Sequence, residues 1–137
     1  MDTIMTKVKA LLILLGIVTL SVNALAQVPA TMKLESSEAI SGEQKFPIES
    51  TIEISGGNIV WTQFSQSGSS QEVRFVVSEV SGDWDQSTNQ GVLTYAVEID
   101  GSTKEVIIDS TADLTEVKID PDNQYAIRVV VHTISYN

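Results

Sequence analysis

Val92-Leu93-Thr94-Tyr95-Ala96-Val97-Glu98-Ile99-Asp100-Gly101-Ser102-Thr103-Lys104-Glu105-Val106-Ile107-Ile108-Asp109 is the stretch that decides the fold class. Leu93, Tyr95, Val97 and Ile99 alternate with Thr94, Ala96 and Glu98, which puts one row on a buried face and the other toward solvent. Asp100-Gly101 supplies residues that tolerate the positive φ of a tight hairpin, so the next run, Glu105 to Asp109, pairs back antiparallel.

The same grammar extends outward in both directions. Ile48, Ile52 and Ile54 share a face opposite Glu49, Thr51 and Glu53, the signature of a half-buried antiparallel strand. Ser55-Gly56-Gly57-Asn58 turns the chain, and Ile59 to Phe64 resumes it. Val73, Phe75 and Val77 alternate in the next run, and two further strands are expected at 114–119 and 124–135. Gln66–Ser70 reads as a loop, and Ser81–Gly91 as a polar loop. No helical stripe competes with this pattern. About seven short strands with turn signals every 8–12 residues predict an all-β antiparallel sandwich of immunoglobulin-like architecture, with a small open barrel as the alternative.

The N-terminus carries an address. Lys7 and Lys9 precede an apolar run from Ala10 through Leu20, and Ala24-Leu25-Ala26 offers the small-x-small pattern of a leader peptidase site. Residues 1–26 therefore read as a cleaved signal peptide. Gly16, Thr19, Ser21 and Asn23 interrupt a stretch too short for a membrane anchor, which needs about 20 apolar residues. Initiation at Met5 rather than Met1 would remove Asp2 and give a cleaner basic start. The expected product is an exported, periplasmic, cell-surface or extracellular protein. The chain has no cysteine, so no disulfide or lipidated cysteine supports it, a composition that points to a bacterial source.

Cleavage leaves 27–137 as one domain, large enough for a single core. Pro29 and the Ser/Glu-rich stretch from Glu35 to Gln44 mark 27–45 as loosely ordered, with one strand near Met32. The leader takes Asp2, Lys7 and Lys9 with it and leaves 17 acidic against 6 basic side chains, net −11. That charge repels nucleic acid and anionic membranes and favours solubility.

Ile119-Asp120-Pro121-Asp122-Asn123-Gln124-Tyr125, followed by alternating Ile127, Val129 and Val131, resembles the segment joining strands E and F of fibronectin type III domains. The resemblance covers about residues 92–132, with Tyr95–Ile99 similar to strand C and 105–109 to strand C′. It implies a type III-like sandwich with a structural tyrosine corner, in which Tyr125 ties back to nearby backbone and Pro121 and Ile119 shape the corner. A type III domain continues into a further strand, whereas twelve residues follow Tyr125. The last strand is then an edge, is covered by residues 28–35 of the same chain, or receives a strand from another protein, as fimbria-like surface subunits do.

Chemistry-bearing candidates are few. His132 is the sole histidine and falls on the solvent face by parity. It has no cysteine or elbow serine to act with, so neither a triad nor a zinc site forms, and the chain reads as a non-enzyme without a metal or cofactor. Asp83 and Asp85 flank Trp84, with Asn89 further along the same loop. These four residues are the nominated binding site, for an extracellular protein or glycan. Calcium is the minor cofactor reading, since it takes oxygen ligands from clustered Asp and Asn. Two acids on one exposed loop do not make a facing glycosidase pair. Trp84 has a second reading, as an aromatic plug over the end of the domain, and Trp61 reads as a core residue. The expected function is thus a secreted, non-catalytic β-sandwich module for binding or structure. A self-assembling subunit is the alternative, and a carbohydrate- or calcium-binding module the lesser one.

Overall fold

The computed structural model describes residues 28–136. The leader segment and its cleavage point lie outside them. Nine strands follow in order: β1 Thr31–Ser41, β2 Gln44–Phe46, β3 Glu49–Ser55, β4 Asn58–Phe64, β5 Ser70–Asp85, β6 Gln90–Ile99, β7 Ser102–Ser110, β8 Thr115–Ile119 and β9 Ile127–Ser135. The Asp100-Gly101 hairpin forms as read, with Val97 opposite Lys104 and Tyr95 opposite Val106.

The strands make one sheet that closes on itself. From β3 to β9 each pairs antiparallel with the next, and β1 pairs with both β3 and β9. Lys33 lies opposite Ser135 at one end of the closing seam, and Ser41 opposite Ile127 at the other. β2 and β3 both lie on the edge of β1 opposite β9, at Ala39↔Phe46 and Ser36↔Ser50. They form one barrel stave interrupted at Pro47, a residue that cannot donate to a ladder. The result is an eight-stranded closed barrel with β2 as a short peripheral strand.

This corrects the expected immunoglobulin-like sandwich and its type III resemblance. In a sandwich, strands E and F belong to different sheets. Here their counterparts pair directly, with Val117 opposite Val129 and Ile119 opposite Ile127. The supposed corner is a turn. Asp120 takes φ 51°, Asn123 Oδ1 accepts from the Tyr125 backbone N–H at 2.8 Å, and Tyr125 is 72 % exposed. Pro121 sits in this turn, and Ile119 points into the barrel.

The N-terminal stretch read as loosely ordered contains β1, with Met32, Leu34 and Ser36 buried. Polar composition hid it, because a barrel stave needs apolar residues at alternate positions only. β1 also answers the question of the last strand: β9 is paired on both edges, by β8 and β1.

Closure requires bending. The seam shifts register around Ser36, where the Ser36 hydroxyl donates to Glu38 O at 2.8 Å and accepts from Glu38 N at 3.1 Å. A buried serine thus satisfies itself on the bulge it creates. A second shift lies between Val77 and Glu79. Beyond it β5 runs past the β3–β4 turn, whose Gly57 O accepts from Val77 N at 2.8 Å. The segment read as the 81–91 loop is mostly strand, with Asp83 opposite Val92 and Trp84 opposite Gly91. Ser78 to Asp83 are exposed. Glu79, Asp83, the bulge and Gly82 are the devices that keep such an edge from pairing with other chains.

Gly82 (φ 114°) and Gly91 (φ 143°) are the residues this hairpin cannot exchange. A Cβ on Gly82 would overlap the Val92 carbonyl, and one on Gly91 the Asp83 carbonyl. Gly57 has open space around it. Gly91→Ala is expected to lower stability by about 3 kcal/mol, through backbone clash and strain, and Gly57→Ala by no more than about 0.5 kcal/mol. Urea unfolding midpoints of the two variants check the contrast.

Candidate functional site at the open end of the barrel

The two ends of the barrel are built differently. One end carries the start of β1, the end of β9 and the turns after β3, β5 and β7. The other carries the turns after β1, β4, β6 and β8.

At the first end Trp84 is a plug. It is 2 % exposed, and its Nε1 donates to Tyr136 Oη at 2.7 Å. Tyr136 Oη donates onward to Asn89 Oδ1 at 2.7 Å. Asn89, at φ 56°, also accepts the Ser110 hydroxyl on its backbone carbonyl, and Ser110 Oγ lies 2.6 Å from Thr115 Oγ1. This chain of bonds ties the β5–β6 turn to the β7–β8 turn and to the tail after β9.

Of the four nominated binding residues, Trp84 and Asn89 are brought together, through Tyr136, in a structural role. Asp83 and Asp85 stay outside. Asp85 Oδ1 accepts from the Ser87 hydroxyl at 2.6 Å and the Ser87 N–H at 2.9 Å, bonds that lower its pKa. Among the described residues no three or more His, Asp or Glu side chains group so as to hold a metal ion. His132 is exposed, with Nδ1 2.8 Å from Thr133 Oγ1. The plug role of Tyr136 was not legible in the sequence, because nothing in a strand pattern links it to a tryptophan 52 positions earlier.

The opposite end is open and apolar. A cavity of about 230 Å³ is walled by Ala39, Ile40, Phe46, Ile48, Trp61 and Ile127, with Ser41 and Gln63 as its polar members. Strand parity explains the set: Gln63 continues the inward row of Ile59 and Trp61, and Ile48 that of Ile52 and Ile54. β2 contributes Phe46, so the break at Pro47 leaves both Phe46 and Ile48 facing the mouth. A serine-rich depression of about 210 Å³ shares Ile48 and Gln63 with it and carries the exposed Phe64.

Two buried polar atoms in the core lack a hydrogen-bond partner among the described residues, Trp61 Nε1 and Tyr95 Oη. Trp61 is 6 % exposed and Tyr95 3 %. Burial pushes the Tyr95 pKa up to about 12. Leaving such a donor unpaired costs roughly 1–3 kcal/mol, which sets these two atoms apart from the other buried side-chain polar atoms among the described residues. The alternation of Ile59 and Trp61 marked Trp61 as inward. Its position on the wall of an open mouth depends on where β1, β2 and β9 end.

The site and fold define a class, a closed antiparallel eight-stranded barrel with a polar depression of about 290 Å³ beside Asn89, Ser110 and Thr115 at its plugged end and an apolar cavity at the other. No family model, no curated protein and no solved structure matches the chain.

Tyr136→Phe removes both bonds of the plug and is expected to cost about 1–3 kcal/mol, and Trp84→Ala about 3–5 kcal/mol, both read from thermal and urea unfolding. Tyr95 titrates higher folded than unfolded, so its neutral form stabilises the barrel fully below pH 10, and that contribution is lost as pH rises toward about 12. Tyr95→Phe is expected to be at least as stable at pH 8 and to show a weaker alkaline loss than the parent, measured by urea midpoints across pH 8–12.

Proposed function

We propose that this chain is an exported, non-catalytic binding barrel that takes a small apolar ligand at its open end. The observation that carries the reading is the contrast in lining between the ends: beside the Trp84–Tyr136–Asn89 bonds there is only a polar depression of about 290 Å³, whereas the other end leaves an apolar cavity. Eight strands is the size at which a barrel interior is either filled by side chains or holds one small ligand, and barrel mouths are preferred ligand sites.

The lining supports binding over turnover. None of the residues around the cavity titrates, so it offers no general acid or base. Export rests on Lys7, Lys9, the apolar run and Ala24-Leu25-Ala26. The acidic mature chain suits a soluble carrier outside the cell.

The exported protein is expected to begin at Gln27 by intact mass. It should also bind a small apolar probe such as naphthalene with a change in tryptophan fluorescence. Ala39→Leu, which fills the mouth, should abolish that binding while the far-ultraviolet spectrum stays that of the parent. A protein that retains residues 1–26 overturns the export reading. Binding that survives Ala39→Leu overturns the site.

A further inference from the structure

We infer that the ligand of the mouth is a glycoside-like amphiphile, a short apolar tail joined to an uncharged, hydroxyl-rich head. This class rests on the open end being the binding site and adds a second surface to it, the inner face of the β4–β5 hairpin beyond the mouth.

Strand pairing builds that face. Ile59 lies opposite Phe75, Trp61 opposite Val73 and Gln63 opposite Gln71, and the Ser65 N–H donates to Ser69 O at 2.9 Å, continuing the ladder toward the turn. Successive members of each row are two residues apart, so all of them share one side of the hairpin. Ile59, Trp61 and Phe75 are buried and make it the inner side. Along it the chemistry changes from apolar at Trp61 and Val73 to carboxamides at Gln63 and Gln71, then to hydroxyls at Ser65 and Ser69. At about 3.3 Å per residue, Trp61 and Ser65 are about 13 Å apart along the strand, the span of a small amphiphile.

The spaces over this face adjoin. The apolar cavity of about 230 Å³ has Trp61 and Gln63 in its wall. The depression of about 210 Å³ carries Gln71, Ser65 and Ser69, and shares Ile48 and Gln63 with the cavity. An apolar cavity of about 150 Å³ is enough to hold benzene, so the mouth takes a ring or a short chain and excludes a long acyl tail. Phe64, 44 % exposed, borders the depression, and its ring offers a surface to the C–H face of a sugar.

The head is neutral because the hairpin is. No ionisable side chain occurs between Glu53 and Glu72 in this acidic chain. Glu72, opposite Thr62, and Glu49, opposite Phe64, belong to the outer row, and Glu72 lies 3.3 Å from Arg74. A cationic head finds no carboxylate in either lining and an anionic head no cation, and an unpaired charge taken out of water is strongly disfavoured. A hydroxyl-rich head finds its match. Ser65 Oγ lies 2.8 Å from Ser67 Oγ and 2.7 Å from Ser69 Oγ. Hydroxyls and carboxamides both donate and accept, so the bonds these serines make to one another exchange for bonds to ligand hydroxyls with no group left unpaired.

The test joins one six-carbon tail to three heads, as hexyl glucoside, hexyl sulfate and hexylammonium, and applies them to the purified protein at about 0.15 M salt, where exposed charges are screened beyond about 8 Å. Calorimetry should show hexyl glucoside binding roughly tenfold more tightly than either charged analogue, and displacing naphthalene. Ser65→Ala combined with Ser69→Ala should weaken hexyl glucoside by about fivefold and leave naphthalene binding unchanged. Phe64→Ala should act in the same direction, and Ala39→Leu should abolish binding of both compounds. If naphthalene binds but hexyl glucoside does not, or binds the hairpin variants as well as the parent, the head is wrongly assigned and the mouth still stands. A charged analogue binding most tightly would overturn the neutral head. Hexyl glucoside that still binds the Ala39→Leu protein sits elsewhere, and the amphiphile is overturned. Failure of naphthalene itself would sink the open-end reading.

Discussion

The pairing of β1 with β9 is the constraint on which the rest of this molecule depends. Without it, a chain with no cysteine would present two long unpaired edges, one of them the alternating valines of β9. With it, every stave has neighbours, and the interior rows of the strands face a common axis. No covalent tie helps, so closure rests on ladder hydrogen bonds and on the burial of residues such as Leu34, Val129 and Val131. A closed sheet has fewer ways to slip, because a one-residue shift would turn each inward row outward.

Closing eight strands around so few residues requires local concessions, and the chain makes them at identifiable places. Ser36 forms the seam bulge and satisfies its own hydroxyl there. Gly82 and Gly91 let the β5–β6 hairpin bend so tightly that neither tolerates a Cβ. Pro47 splits a stave in two and leaves Phe46 and Ile48 at the mouth. The bend at Gly91, opposite Trp84, brings the tryptophan over the barrel end, where Tyr136 receives its N–H. Backbone geometry at one end and a ladder interruption at the other thus produce the contrast between a plug and a cavity.

Strand identity was legible because period-two alternation is a local property. Ile52 and Ile54, Leu93 to Val97, and Val129 and Val131 all lie on the faces their parity assigns. The Asp100-Gly101 turn was legible for the same reason, since its chemistry is contained in adjacent residues. The polar run around Trp84 was not legible as strand. Its apolar positions are replaced by Gly82 and by an edge that faces water, so the alternation that announces a stave is missing. The Pro121–Tyr125 stretch misled because a proline, a tyrosine and an alternating strand describe a tight turn as readily as a sandwich corner.

By itself the sequence determined that the described domain is all-β and antiparallel, where most strands run, which side chains turn inward, and that no cysteine holds them. Tertiary structure alone decided that the strands form one closed barrel rather than two packed sheets, since both bury alternate residues in the same way and differ only in which distant strands meet. It also decided the roles of the two tryptophans. Each carries the same indole N–H, but Trp84 meets an acceptor brought from the far end of the chain, while Trp61 is buried beside the mouth with none among the described residues.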